Sequence, residues 1–279
     1  MCPLPDSGGT AAGWADGGYG GGVLATFDIS NTRIKAGIFD GAELRATFSL
    51  AADVRRTSDE YAVLLDGFLR EERIQRRDVH GAAIASVVPP LTGIFEQVCS
   101  RLFRQQALVV GAGTRAGIRI ATQQPRELGA DRIVNAIAVQ HLHGSPAIVV
   151  DFDTATAFDV VAADGAYAGT IIAPGLALAA EALFQHTSRL QRVELTKPKT
   201  VIGRDTISAL LSGAVLGHVA LVEGLISRIR AELGSPAIVV ATGELAGLVA
   251  AETSVVDRVE TWLALIGLRL FFELNQGGR

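Results

Sequence analysis

Short apolar runs separated by small polar turns dominate the first half of the chain, and the same alternation restarts near its middle. Val23-Leu24-Ala25-Thr26-Phe27 is a continuous apolar run of strand length, the pattern of a buried strand. It ends in Asp28-Ile29-Ser30-Asn31-Thr32, and residues 33–39 read as a second strand closed by an Asp40-Gly41 hairpin turn. A third strand is expected over about 43–50. A helix follows over about 58–72 with Ser58 as its N-cap, then a strand at 82–86, a helix at about 91–103 and a strand at 108–110. The segment Pro125-Arg126-Glu127-Leu128-Gly129-Ala130-Asp131-Arg132 opens a helix over 133–141.

The second half repeats this opening. Ala147-Ile148-Val149-Val150 is an apolar strand that ends in Asp151-Phe152-Asp153-Thr154-Ala155-Thr156. A strand at 157–161, an Asp164-Gly165 turn and a third strand from Ala166 follow. Helices are expected over about 206–216 and 221–233, a strand over 237–241 ending in Thr242-Gly243-Glu244, and an apolar helix over about 263–274. Strand, Asp-led loop, strand, Asp-Gly turn, strand is one grammar used twice, which argues for two related lobes. The turn cluster His143-Gly144-Ser145-Pro146 sets the expected boundary: one lobe over 23–144 and the other over 145–279.

Composition narrows the class. A chain of 279 residues, 49% apolar and 19% charged, is globular and large enough for a substantial core. Twenty-five basic against 29 acidic residues give a net charge of −4, which offers no basic face for nucleic acid or an acidic membrane. Cys2 and Cys99 supply neither a disulfide framework nor a zinc spacing, so a reducing, cytoplasmic setting is expected. The apolar stretch 166–184 is interrupted by Gly169, Pro174, Gly175 and Glu181, and no segment reads as a membrane span. Residues 1–22 lack a basic start and a cleavable apolar core; they read as a disordered Gly-rich extension.

Two strand-end loops led by Asp have a chemical use. Such a turn aims backbone N–H groups and hydroxyls at one point, a concavity suited to phosphate oxygens, and the Asp can hold a cation beside them. Facing each other from two lobes, they would clamp a polyphosphate; singly, an Asp at a strand end is commonly a turn former. Asp131, near a helix N-terminus, is placed to take a proton from a substrate hydroxyl, and Arg132 to pair with a substrate carboxylate. On spacing alone, a helix-start acid and a surface arginine are the simpler reading.

Taken together, Asp28-Ile29-Ser30-Asn31-Thr32, Gly129-Ala130-Asp131-Arg132-Ile133-Val134-Asn135-Ala136, Asp151-Phe152-Asp153-Thr154-Ala155-Thr156, Ile172-Ala173-Pro174-Gly175 and Ile202-Gly203-Arg204-Asp205-Thr206 resemble type III pantothenate kinase over about residues 24–275. Ser86-Val87-Val88-Pro89 adds to the likeness. The resemblance implies an α/β protein of the actin-like ATPase fold, with two duplicated ribonuclease-H-like lobes and a cleft between them. It implies ATP-dependent phosphorylation of pantothenate, with Mg²⁺ and a monovalent cation, K⁺ or NH₄⁺, in a homodimer. By the same resemblance Asp28, Ser30, Asn31, Thr32, Arg33, Lys35 and Thr154 contact ATP and Asp131 is the catalytic base. Thr122, Gly129, Ala130, Arg132 and Thr206 bind the acceptor with Asp131, and Asp151 holds the monovalent cation.

The chain departs from the family pattern where the nucleotide would lie. Ser30 and Asp153 replace loop glycines, Ala157 a threonine, Glu244 the second glycine of a Gly-Gly pair, Thr170 the second of another, and Thr122 an aromatic. A carboxylate about 4 Å from a phosphate charge costs on the order of 4 kcal/mol at an effective dielectric near 20. Asp153 and Glu244 are therefore expected to impede ATP, unless a cation lies between Asp153 and the phosphates. An impaired kinase, a ligand-binding pseudokinase and a kinase retuned to another donor or acceptor all remain open at this point. Gly111-Ala112-Gly113-Thr114-Arg115-Ala116-Gly117 only approximates a dinucleotide fingerprint, and extended chain follows it. His141 and His143 face different ways on a helix, and His80, His186 and His218 are isolated, so none reads as a metal ligand.

Overall fold

The computed structural model describes residues 22–111, 114–186 and 192–276; apart from Gly22, the N-terminal extension lies outside the described residues, as does part of the Gly111–Gly117 segment. The first half forms β1 (Val23–Ile29), β2 (Arg33–Asp40), β3 (Glu43–Ala51), α1 (Ser58–Glu71), β4 (Val79–Ser86), α2 (Pro89–Phe103) and β5 (Leu108–Val109). Tight turns make β1, β2 and β3 an antiparallel meander, and the α1 crossover brings β4 parallel to β1. The resulting order is β3-β2-β1-β4-β5. Every residue of β1 is buried, Thr26 and Asp28 included, as expected of a central strand covered on both faces.

After α3 (Ala130–His143) come β6 (Ala147–Phe152), β7 (Ala155–Val161), β8 (Tyr167–Pro174), α4 (Leu176–Gln185), α5 (Thr206–Leu211), α6 (Gly217–Leu233), β9 (Ile238–Thr242), α7 (Ala246–Ala250), β10 (Arg258–Val259) and α8 (Leu263–Gln276). The second sheet runs β8-β7-β6-β9-β10, the first sheet's order repeated with the same strand directions. The repeat holds in register. Asp28 of β1 lies opposite Lys35 of β2 and Ala85 of β4, while Asp151 of β6 lies opposite Ala157 of β7 and Thr242 of β9.

The layers follow from the apolar faces. Tyr61 and Leu65 of α1 and Phe95 and Val98 of α2 pack on Phe27 and Ile34, covering one face of the first sheet. Val222 and Ile226 of α6 cover one face of the second with Ile148 and Val150. Between the sheets lie α3 and α8. Leu268, Phe271 and Phe272 of α8 pack against Leu24, Ala83 and Ala85, so the last helix returns to the first sheet. Ala136 and Val139 of α3 pack against Val149 and Val161 of the second.

Three local features differ from the sequence reading. Thr57, not Ser58, caps α1: its hydroxyl accepts from Glu60 N at 3.3 Å, and the Glu60 carboxylate accepts from Thr57 N at 2.8 Å. Glu60 lies three residues after Thr57, the spacing of a capping box, which decides the start. Helix α4 occupies part of a stretch taken as interrupted apolar chain, because the helix begins immediately after Gly175. The two helices expected at 206–216 and 221–233 are one run, joined by a π turn at Ser212–Leu216. That run is long and apolar enough to cross a membrane by length and composition. Val219, Val222, Ile226 and Ile229 nevertheless belong to the core beneath the second sheet.

Candidate active site

The central strand of each sheet delivers an Asp at its C-terminal end, where open α/β sheets place their ligands. Asp28 and Asp151 come within electrostatic reach of each other, of Asp131 and Asp153, and of one cation, Lys35. Burial pushes both carboxyls up to about 7; Lys35 opposes the shift and the neighbouring carboxylates add to it. Asn135 of α3 donates to Asp151 Oδ2 at 3.3 Å. Asp131 Oδ1 and Asp151 Oδ1 are buried with no hydrogen-bond partner among the described residues. Four neighbouring carboxylates, with Lys35 beside Asp28 and Asp151, leave excess negative charge and vacant oxygen lone pairs. That donor set fits hard cations such as Mg²⁺ or K⁺. Among the described residues no group of three or more His, Cys, Asp or Glu is arranged to hold a metal unaided. Mg²⁺ needs no such group where substrate phosphates supply the remaining oxygens.

These raised carboxyls have a consequence for stability. Their unfolded values lie near 3.8, so from about pH 4 to 7 the native chain binds protons that the unfolded chain does not. Stability from these groups is full below pH 4 and withdrawn as pH rises through 7. Without nucleotide or divalent cation, Asp28→Asn is expected to match the wild type near pH 4 and to become progressively more stable than it toward pH 8. Urea titrations at the two pH values test this; a pH-independent difference counts against the buried-charge account.

Helix α3 begins with Gly129 as N-cap and Ala130 as its first residue, which sets Asp131 and Arg132 in the first turn. A Cβ on Gly129 would collide with Asp131 Oδ1, so the bare backbone there lets the carboxylate fold over the helix start. Arg132 Nη1 donates to Thr170 Oγ1 at 2.5 Å and meets Asp159 Oδ1 at 3.4 Å. Asp159 also accepts from Tyr167 OH at 2.7 Å. The chain leading to α3 runs beside the same group: Ala121 N donates to Tyr167 O, and Thr122 Oγ1 is buried with no partner among the described residues. Thr206 is brought to none of these groups; it is exposed at the start of α5, which Asp205 caps. Sequence reasoning missed Asn135, Asp159 and Tyr167. The signal for Asp159 was one charge inside the apolar run Ala157-Phe158-Asp159-Val160-Val161, since a buried carboxylate requires partners.

A family model described as type III pantothenate kinase matches residues 24–228. The chain belongs to the type III pantothenate kinase family. Kinases of this name from Roseiflexus sp. (strain RS-1) and Moorella thermoacetica are 47% and 44% identical to it over 254 and 253 residues, spanning 91% of this chain and 100% of each relative. Among solved structures, one from Campylobacter jejuni assigned to a Baf transcriptional-activator family superposes with a TM-score of 0.56 at 18% identity, covering 91% of this chain and 100% of that one. An activator of 2-hydroxyisocaproyl-CoA dehydratase from Clostridium difficile, solved with ADPNP, gives 0.51 at 11% identity, covering 91% and 96%. The architecture is the actin-like ATPase fold.

Against the pantothenate kinase pattern, the lost glycines read differently in three dimensions. Ser30 is not at positive φ, and its hydroxyl donates to Arg33 O at 3.0 Å, closing the first loop on itself. Glu244, expected to oppose the nucleotide, is instead ion-paired at 2.8 Å with Arg33, the first residue of β2 in the other sheet. Thr170 is occupied with Arg132. Asp153 does add charge to the carboxylate cluster, where its Oδ1 accepts from Thr154 N at 3.0 Å. Gly243 is kept where it is needed: φ is +93°, and a Cβ would lie 2.7 Å from Asp151 Oδ1.

Proposed function

We propose that this chain transfers the γ-phosphoryl group of ATP to the primary hydroxyl of pantothenate. The observation that carries the reading is the convergence of Asp28, Asp151 and Asp131, from both sheets and from α3, within electrostatic reach, with Lys35 beside the first two. The first loop, with Ser30, Asn31, Thr32, Arg33 and Lys35, faces the phosphates, and Thr154 approaches them from the second loop. Asp131 takes the hydroxyl proton. Gly129, Ala130, Arg132 and Thr122 hold the acceptor. Asp28, together with the phosphates, would hold Mg²⁺, which would supply neutralisation of the phosphate charge, and Asp151 would hold K⁺ or NH₄⁺. Catalysis of this kind is mainly positioning and electrostatics, and the two lobes provide both.

The test is a coupled assay with ATP, pantothenate, Mg²⁺ and K⁺, leaving out one component at a time. Turnover requiring every component supports the proposal. Nucleotide binding without turnover would favour the pseudokinase reading, for which no observation speaks at present. Turnover only with another donor or acceptor would favour the retuned kinase.

The ion pair between Arg33 and Glu244 gives a second expectation. Both side chains are about half exposed, so the pair itself contributes only about 0–1 kcal/mol to stability. Its larger effect is to neutralise Glu244. Arg33→Ala leaves that charge unpaired and is expected to raise KM for ATP about tenfold, the effect of roughly 1.4 kcal/mol. Glu244→Ala should change it less, and the double variant should recover the part of the loss that comes from the unpaired Glu244, the remainder being Arg33's own contact with the phosphates. Additive effects in the cycle would show that the two residues act independently.

We further propose a cytoplasmic homodimer. Ile172, Leu178, Leu183, Val201, Ile202 and Ile207 are exposed apolar side chains of the second half, and Thr206 lies among the last of them. Exposed apolar side chains of this kind suit contact with a second copy of the chain, which would place Thr206 near a neighbouring acceptor site. Light scattering checks it: a monomeric mass at micromolar concentration overturns it.

A further inference from the structure

We propose that Asp159, with Thr170, is a positioning residue that holds the Arg132 guanidinium turned toward an anionic acceptor and away from the carboxylates of the catalytic cluster. The proposal rests on the pantothenate reading above for the identity of that acceptor.

Arg132 has a conflict to resolve. It follows Asp131 directly, stands in the first turn of α3, where the helix dipole disfavours a cation, and lies close to an excess of carboxylates. Left untethered, its guanidinium would be drawn to Asp131 and would cover the oxygen needed to take the hydroxyl proton. The structure instead engages it with atoms of β7 and β8, and no hydrogen bond joins it to Asp131 among the described residues. Asp159 is 1% exposed in the middle of β7. Its Oδ1 is fixed by Tyr167 OH at 2.7 Å and meets Arg132 Nη1 at 3.4 Å, and Thr170 Oγ1 accepts from the same Nη1 at 2.5 Å. Asp159 Oδ2 has no partner among the described residues, so the carboxylate can take a second guanidinium N–H without releasing Tyr167.

A guanidinium presents five donors in a rigid planar fork. Both of these hydrogen bonds leave from Nη1, and the Nε–Nη2 edge is the one suited to a bidentate carboxylate. Pantothenate carries one carboxylate, at the end of the molecule remote from its primary hydroxyl. Fixing Arg132 therefore sets the acceptor's orientation: the acid is held at one end and the hydroxyl lies by Asp131 at the other.

The test compares pantothenate with its neutral primary amide, which keeps the hydroxyls and lacks the charge. In Asp159→Asn, KM for pantothenate is expected to rise about tenfold or more, with KM for ATP unchanged and KM for the amide altered less than about twofold. Thr170→Val, an exposed change that removes only the accepting hydroxyl, should move the same ratio in the same direction by a smaller factor, and it serves if Asp159→Asn does not fold. Equal losses with the acid and the amide would reduce Asp159 to a structural role and overturn the proposal. A second readout does not depend on activity. Arginine side-chain ¹⁵N spectra, with Arg132 assigned from Arg132→Lys, should show restricted guanidinium rotation in the wild type and averaging in Asp159→Asn or Thr170→Val. Unchanged rotation in the variants overturns the tether even if the chain proves to phosphorylate nothing. Restricted rotation without turnover of pantothenate leaves the tether standing and removes the functional reading.

Discussion

Asp131→Asn is expected to lower kcat about a thousandfold, within the range of 10²–10⁴ typical for loss of a positioned general base. KM for either substrate should change no more than a few-fold. Asn keeps the shape of the side chain and its place in the first turn of α3, over Gly129, but cannot take a proton from the acceptor hydroxyl. The fold should survive, because two opposing effects nearly cancel. The helix N-terminus loses a favourable negative charge, about 0.3–1 kcal/mol. In return, Asp28 and Asp151 lose a like-charged neighbour that disfavours their ionised forms. Steady-state kinetics with parallel calorimetric titration of nucleotide and pantothenate decide the matter. A kcat within tenfold of the wild type would mean that another group takes the proton and that the orphaned Asp131 oxygen serves binding instead.

The strands and the duplication were legible because they rest on local pattern. An apolar run of strand length, an Asp-led turn and an Asp-Gly hairpin occur in the same order twice, and the two sheets repeat that order down to the opposing residues of Asp28 and Asp151. What the sequence left hidden depends on partners far apart along the chain. Glu244 read as an unpaired charge because its partner, Arg33, begins a strand of the other sheet. Asp159 read as part of a strand because periodicity counts apolar positions and does not say what a buried carboxylate touches. The place of α8 was hidden for the same reason: its apolar face marks a packed helix, but only the fold shows that it packs on the first sheet. Single-residue features went astray where two signals compete, as at Thr57 and Ser58, where Glu60 decides.

Gly267→Ala tests the packing beneath the site and is expected to lower stability by about 3 kcal/mol. Intrinsic propensity points the other way, since Ala is favoured over Gly inside a helix by roughly 1 kcal/mol. Contact geometry outweighs it. A Cβ at Gly267 of α8 would overlap the Val134 carbonyl oxygen of α3 and lie 2.6 Å from its carbon, and backbone cannot swing aside as a side chain can. The two helices would have to separate, loosening Leu268 and Phe271 from Ile133 and Ile137. Because Asp131 and Arg132 ride on the first turn of α3, that movement reaches the site: a displacement of about 1 Å can cost a hundredfold in rate. A fall in kcat/KM should therefore accompany the loss of stability, measured well below the unfolding transition. Gly224→Ala on the exposed side of α6, where nothing lies within 4 Å of the added carbon, should show propensity alone and gain about 0.5–1 kcal/mol with unchanged kinetics. If Gly267→Ala unfolds in urea no earlier than the wild type, α3 and α8 have room to part. The site would then owe its geometry to the strands alone.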